Sequence, residues 1–142
     1  MKPVRVAVLA FEGVSLFHLS VPGIVFGVTP APAGLPPYEV SYCAPDPGLV
    51  RCDQGMEIEV PGGLGAMDDA DIVIVPSWRD VAEPPPERLL RALRAAHARG
   101  AQLVGGVGRW LEHLGHRRAR RADQPHAPDG AARRLGDEAG VQ

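Results

Sequence analysis

Two stretches of this 142-residue chain constrain its fold more than any other feature: Val4-Arg5-Val6-Ala7-Val8-Leu9-Ala10 and Asp71-Ile72-Val73-Ile74-Val75-Pro76. Both are short, rich in β-branched residues and apolar at nearly every position, where a half-solvated strand would alternate with polar residues. The pattern suits strands buried on both faces, as in a parallel sheet covered by helices. Pro76 has no amide hydrogen, so it stops the second ladder where the chain should turn toward a site.

The segments between these runs fit the same architecture. Ser15 is placed to cap a helix from Leu16, with Leu16, Leu19 and Phe26 facing the core, and Pro22 must kink or restart that helix. After a loop rich in Pro and Gly, Tyr38–Cys43 alternates as a second strand. Val50–Asp53 and Met56–Val60 read as a hairpin decorating one sheet edge, with Met56, Ile58 and Val60 inward and Glu57 and Glu59 outward. Pro84-Pro85-Pro86 sets up a helix with Leu89, Leu90, Leu93 and Ala96 buried, Glu87 paired with Arg91 one turn on, and Gly100 at its C-terminal cap. Ala101–Gly105 follows as another short strand. The 15 prolines and 17 glycines are more punctuation than a helical bundle tolerates. Strands alternating with helices give βαβ units, and ligands in such sheets bind beyond the carboxyl ends of the strands.

Several function classes are excluded early. The opening apolar run has no small-residue cleavage site, and no run approaches membrane-spanning length, so neither a secretory signal nor a membrane span is expected. Cys43 and Cys52 fit no metal or redox spacing, which leaves two buried small hydrophobes in a reduced, cytoplasmic setting. No metal site and no cofactor are expected.

Charge divides the chain near Gly105. Residues 1–105 carry eight Lys and Arg against twelve Asp and Glu, whereas residues 106–142 carry seven against five. Residues 1–105 therefore read as the domain and residues 106–142 as an atypical, disordered or out-of-frame tail. That tail has only Val107, Leu111, Leu114, Leu135 and Val141 as aliphatic residues, too few to complete a core. Its Arg117-Arg118-Ala119-Arg120-Arg121 run lies among Asp123, Asp129, Asp137 and Glu138, so a solvated tail is favoured over a nucleic-acid patch.

The run V-A-V-L-A-F-E-G-V-S-L-F-H-L-S-V-P-G-I-V-F-G-V (residues 6–28), the hairpin R-C-D-Q-G-M-E-I-E-V-P, the strand D-I-V-I-V-P-S-W-R-D and the helix L-L-R-A-L-R-A-A-H-A-R-G with A-Q-L-V-G resemble, in order, the ThiJ/PfpI superfamily, also called class I glutamine-amidotransferase-like. The nearest likeness is to the N-terminal domain of GlxA-type, AraC-family transcription regulators. The resemblance implies a flavodoxin-like parallel sheet with helices on both faces, incomplete here on its C-terminal side. It also implies a domain that dimerises and senses a small-molecule effector, joined in full-length regulators to a helix-turn-helix half that nothing here resembles. Homo-oligomerisation through the sensor domain is thus expected, and specific DNA binding by this chain alone is not. Enzymes of the superfamily place a cysteine in a G-x-C-x-G turn, where backbone amides and a helix N-terminus favour the thiolate. The equivalent stretch is Gly105-Gly106-Val107-Gly108-Arg109, with Val107 at the nucleophile position, and His18 stands where the family carries an acidic partner. No catalytic residue is therefore assigned. The alternative is a cysteine enzyme, an isonitrile hydratase or glyoxalase-like hydrolase, inactivated by loss of its nucleophile.

Candidate ligand contacts are Glu12, Gly13, His18, Ser77, Trp78, Gly105, Gly106 and Val107. Each has a bland rival. Glu12 can be a solvated loop carboxylate, His18 a helix histidine bonded to backbone, and Trp78 a packing residue against the proline-rich loop. Ser77 lacks a Gly-x-Ser-x-Gly context, and the glycines after residue 104 match neither a Walker pattern nor a dinucleotide fingerprint.

The composition after Gly105 suggests a frameshift near the nucleophile turn. With codons CAC CGC CGG GCT CGA CGG GCG, His116–Ala122 read one nucleotide later becomes T-A-G-L-D-G-R, similar to the A-G-L-L-D-G-R that follows the family's cysteine. One sheet face and one edge would then be exposed, a dimerisation or aggregation liability with poor solubility.

Overall fold

The computed structural model describes residues 1–28 and 30–105. Four parallel strands form the central sheet in the order β2-β1-β5-β6: β1 is Val4–Leu9, β2 Tyr38–Cys43, β5 Ile72–Val75 and β6 Gln102–Gly105. This is the α/β, flavodoxin-like arrangement, with β1 and β5 inside as their two-sided apolar patterns require. Register places Val6 beside Ile72 and Val8 beside Ile74, so equivalent pleats align across the sheet.

The first crossover runs left and the last runs right. Helix α1 (Leu16–Pro22) joins β1 to β2, and helix α2 (Glu87–Ala98) joins β5 to β6. Right-handed connections in opposite directions put the two helices on opposite faces. Ser15 caps α1, its hydroxyl accepting from the His18 amide at 3.4 Å. Pro22 does not stop the backbone; it closes α1, and the chain widens into a π-helical turn over Gly23–Val28 that absorbs the missing amide. Tyr42 reaches under this segment and donates its hydroxyl to the Leu19 carbonyl at 3.3 Å. An ideal Cβ at Gly23 would lie 2.5 Å from that hydroxyl, so any larger residue there would have to push the tyrosine tip aside.

On α2, Leu89, Leu90, Leu93 and Ala96 are buried as the spacing predicts. Gly100 (φ 104°) ends the helix, its amide donating to His97 O at 2.9 Å. The expected Glu87–Arg91 pair is corrected: Arg94 Nη1 reaches Glu87 Oε1 at 2.9 Å. Long side chains on a helix lean toward its N-terminus, and a residue two turns on can span back along the same face.

The hairpin is β3 (Gly48–Arg51) against β4 (Glu57–Val60), antiparallel and separate from the main sheet. It is tied to the carboxyl end of edge strand β2 by the Cys43–Gly62 bridge and to the β1 exit by the Val14–Cys52 bridge. Val60 is buried and Ile58 half-buried, but Met56 is exposed, against expectation. It lies in the turn before β4 begins, where its carbonyl accepts from the Cys52 amide, and the strand's alternation does not extend to it. A 3-10 turn, Leu64–Met67, which the sequence pattern did not mark, leads into β5 and buries Met67. Arg99 holds it from α2, donating to Met67 O at 2.7 Å and Ala70 O at 3.0 Å.

One continuous core of aliphatic side chains joins both sheet faces, with Phe11 as its buried aromatic and no buried charged residue among those described. The expectations for Gly106, Val107 and the tail to Gln142, including the frameshift, lie outside the described residues.

Candidate functional site

The segments that follow β1 and β5 meet at the carboxyl ends of the strands, around residues 11–13 and 77–80. Arg79 joins the two: its Nη1 donates to Glu12 O at 2.8 Å, and its aliphatic stem lies against Gly13, whose φ of 78° suits glycine. The sheet then divides the predicted residues between two clefts.

The first cleft lies on the α1 side. His18, Val21 and Pro22 of α1, Ile74 to Ser77 at the end of β5, and Val104 and Gly105 at the end of β6 enclose about 250 Å³. Its walls are mainly apolar, with the His18 imidazole and the Ser77 hydroxyl as its side-chain polar groups. His18 is exposed, with its ring edge-on to Phe17 at 5.6 Å between centroids. Position explains the grouping. One turn into α1, residue 18 faces the sheet end, and Pro76 stops β5 so that Ser77 turns out of the ladder.

The second cleft, about 240 Å³, holds Glu12 and Trp78. Phe11, the Ala44–Pro47 loop, Val50, Arg79 and Arg88 complete most of its lining. Trp78 stacks on Phe11 with 4.4 Å between ring centroids, and the Arg79 guanidinium sits 4.8 Å over the indole. The indole Nε1 is buried with no hydrogen-bond partner. Both arginines here are committed to neighbours. Arg79 binds Glu83 through two nitrogens, and that contact lowers the Glu83 carboxyl below its ordinary range and raises the guanidinium. Arg88 donates to Asp46 at 2.6 Å and to Pro45 O at 3.0 Å. Glu12 also faces the hairpin, its Oε1 accepting from the Arg51 amide at 3.2 Å.

Of the predicted residues, then, His18, Ser77 and Gly105 share one cleft, whereas Glu12 and Trp78 share another with Gly13 beside it. Gly106 and Val107 lie outside the described residues. Sequence reasoning missed Arg79, the link between segments; the signal was Arg79 and Glu83 at i and i+4 in a loop opening on Ser77-Trp78.

Neither cysteine reaches the first cleft. Cys43 closes β2 and is fully buried, its Sγ 3.7 Å from Val8 O, and desolvation pushes its thiol up to about 11. Cys52 is buried in the hairpin, its thiol raised by desolvation and by the nearby Asp53 and Glu12 carboxylates. Among the described residues no cluster of His, Cys, Asp and Glu could hold a metal ion, and no helix is long and apolar enough to cross a membrane.

No family model matches this chain, and no curated protein matches it by sequence. Solved structures do match in fold. A ThiJ/PfpI family protein from Pseudomonas syringae aligns over 74% of this chain and 42% of its own, with a TM-score of 0.61 and 20% identity. An AraC family transcriptional regulator from Pseudomonas putida aligns over 72% of this chain and 55% of its own (TM-score 0.56, 21% identity). A DJ-1 superfamily protein from Agrobacterium tumefaciens aligns over 72% and 52% (TM-score 0.54, 15% identity). The chain spans about half the length of these proteins. Over roughly three quarters of its own length it carries the α/β fold that ThiJ/PfpI, DJ-1 superfamily and AraC-family regulator proteins share.

Proposed function

We propose that this chain is a non-catalytic domain that binds a small molecule and self-associates, of the kind that precedes the DNA-binding half of a transcription regulator. The observation that carries the reading is the cleft of His18, Pro76, Ser77, Val104 and Gly105. It sits where the ends of β5 and β6 meet α1, and open α/β sheets bind ligands at the carboxyl ends of their strands. Apolar walls with an imidazole and a hydroxyl at the rim suit a small, largely apolar molecule bearing one or two hydrogen-bonding groups. The non-catalytic part rests on the lining: nothing there is a thiol, and the described thiols are buried elsewhere with their pKa values raised, so neither is a ready nucleophile. The likeness in fold to an AraC family regulator supports the regulatory context.

A thermal-shift screen of the full chain with small carbonyl- and amide-bearing compounds tests the binding. Hits are expected to vanish in Ser77→Phe, which fills the first cleft, and to persist in Arg88→Ala, which alters the second. Hits that survive Ser77→Phe and vanish in Arg88→Ala would reverse the assignment.

A further inference from the structure

We infer that the second cleft is a binding site in its own right, for a small aromatic carboxylate anchored on Arg88. This goes beyond the function proposed above and does not depend on it, since the cleft and the class of molecule are both different. Strand order puts this cleft where ligands gather. In the order β2-β1-β5-β6, the connections from β1 and from β5 leave in opposite directions, so the order reverses between those two strands. Open α/β sheets take their ligands in the crevice beyond the carboxyl ends of the strands at such a reversal. Phe11 and Glu12 leave β1 there, Trp78 and Arg79 leave β5, and the Ala44–Pro47 loop leaves β2 beside them.

Size and lining set the class of molecule. The volume of about 240 Å³ exceeds the roughly 150 Å³ that holds benzene, so one ring with a short polar arm fits. Phe11 and Trp78, 4.4 Å apart, give that ring an aromatic wall. The Trp78 Nε1, buried without a partner, is a donor that an acceptor-bearing molecule is suited to satisfy. The rim at Pro86 and Arg88 is positive. Helix α2 starts there with no side-chain cap, and Leu89 and Leu90 both donate to Pro86 O, which leaves the Glu87 and Arg88 amides outside the helical ladder. Three carboxylates lie around the cleft, and only one stands in the way. Glu83 holds Arg79 through two nitrogens, and Glu12 gives its Oε1 to the Arg51 amide of the hairpin. Asp46 sits on Arg88 at 2.6 Å, but its side chain is 85% exposed. A ligand carboxylate therefore takes its place readily: Arg88 exchanges one carboxylate for another, and Asp46 returns to water.

Titration calorimetry of the full chain with sodium phenylacetate, at neutral pH and low salt, tests this. One phenylacetate per chain is expected, with phenylacetamide, which lacks the charge, and acetate, which lacks the ring, each weaker by about tenfold or more. Arg88→Ala is expected to weaken phenylacetate by about tenfold or more, and Asp46→Asn, which frees the guanidinium, to tighten it several-fold. Arg91→Ala, which removes an exposed charge one turn along α2 but outside the lining, is expected to bind as the wild type does. No saturable binding up to about 10 mM phenylacetate overturns the site. So does binding that Arg88→Ala spares, an Asp46→Asn variant that binds no tighter, or a loss in Arg91→Ala as large as that in Arg88→Ala. Absent carbonyl and amide hits beside intact phenylacetate binding would sink only the first cleft, and hits without phenylacetate binding only this one.

Discussion

Replacing Gly62 with alanine is expected to loosen the hairpin from the edge strand. An ideal Cβ at Gly62 falls 2.7 Å from the Tyr42 carbonyl oxygen, well inside contact distance. The obstacle is backbone of β2 and cannot rotate aside, so the hairpin must move. Movement weakens the Ala44 N to Gly62 O hydrogen bond of 2.9 Å, at about 0.5–1.5 kcal/mol. It also disturbs the packing of Val60 and Cys43, both almost fully buried, and an overpacked contact costs about 1–3 kcal/mol. The sum is about 1.5–4.5 kcal/mol, which lowers a urea midpoint by roughly 1–3 M at a slope of about 1.5 kcal/mol/M, ordinary for a small domain. Gly63→Ala is the control, because its Cβ meets only Pro47 Cγ at 3.4 Å and its φ of −93° accepts alanine. It is expected to change stability by less than about 1 kcal/mol. Coincident midpoints for the two variants would refute the clash argument.

Three further outcomes follow from named contacts. Leu93→Ala, at a fully buried site on α2, is expected to cost about 2–5 kcal/mol, against less than about 0.5 kcal/mol for Val81→Ala on the surface, read by the same denaturation. Cys43 has its thiol raised from an ordinary 9.0 to about 11, so its stabilisation is complete below pH 9 and lost as pH rises through 11. That is worth about 2–3 kcal/mol, and a Cys43→Ala variant should show a correspondingly flatter decline over that window. Arg79→Ala removes the links to Glu12 and Glu83 and should loosen the loop, read as faster amide hydrogen exchange over residues 79–83. Because the Glu83 carboxyl is held below its usual range, the same loosening should appear in the wild type only as pH falls through that depressed value.

Much of the fold was legible because burial on both faces leaves an unmistakable record. Val4–Leu9 and Ile72–Val75 had no polar alternation and became the inner strands, and Leu89, Leu90, Leu93 and Ala96 repeated at helical spacing and became the buried face of α2. What stayed hidden was decided by contacts distant in sequence. Met56 obeyed strand parity on paper yet lies in a turn whose length the hairpin register fixes. The Leu64–Met67 turn is held by Arg99, thirty residues away in sequence.

The candidate site shows the same division. Pattern told which ends of the strands would gather Glu12, His18, Ser77, Trp78 and Gly105, because ladder stops and turn residues mark the ends. It could not tell which face each would take. That depends on strand order, since β1 to β2 and β5 to β6 cross in opposite directions, and so His18 and Trp78 part company across the sheet.

A crystal of the full chain soaked with the small carbonyl and amide compounds tests the central claim most directly. The account predicts a molecule lodged between His18, Ser77 and Gly105 on the α1 side of the sheet. Occupancy confined to the cleft of Phe11, Trp78 and Arg88, with the α1 side empty for every compound that binds in solution, would contradict it.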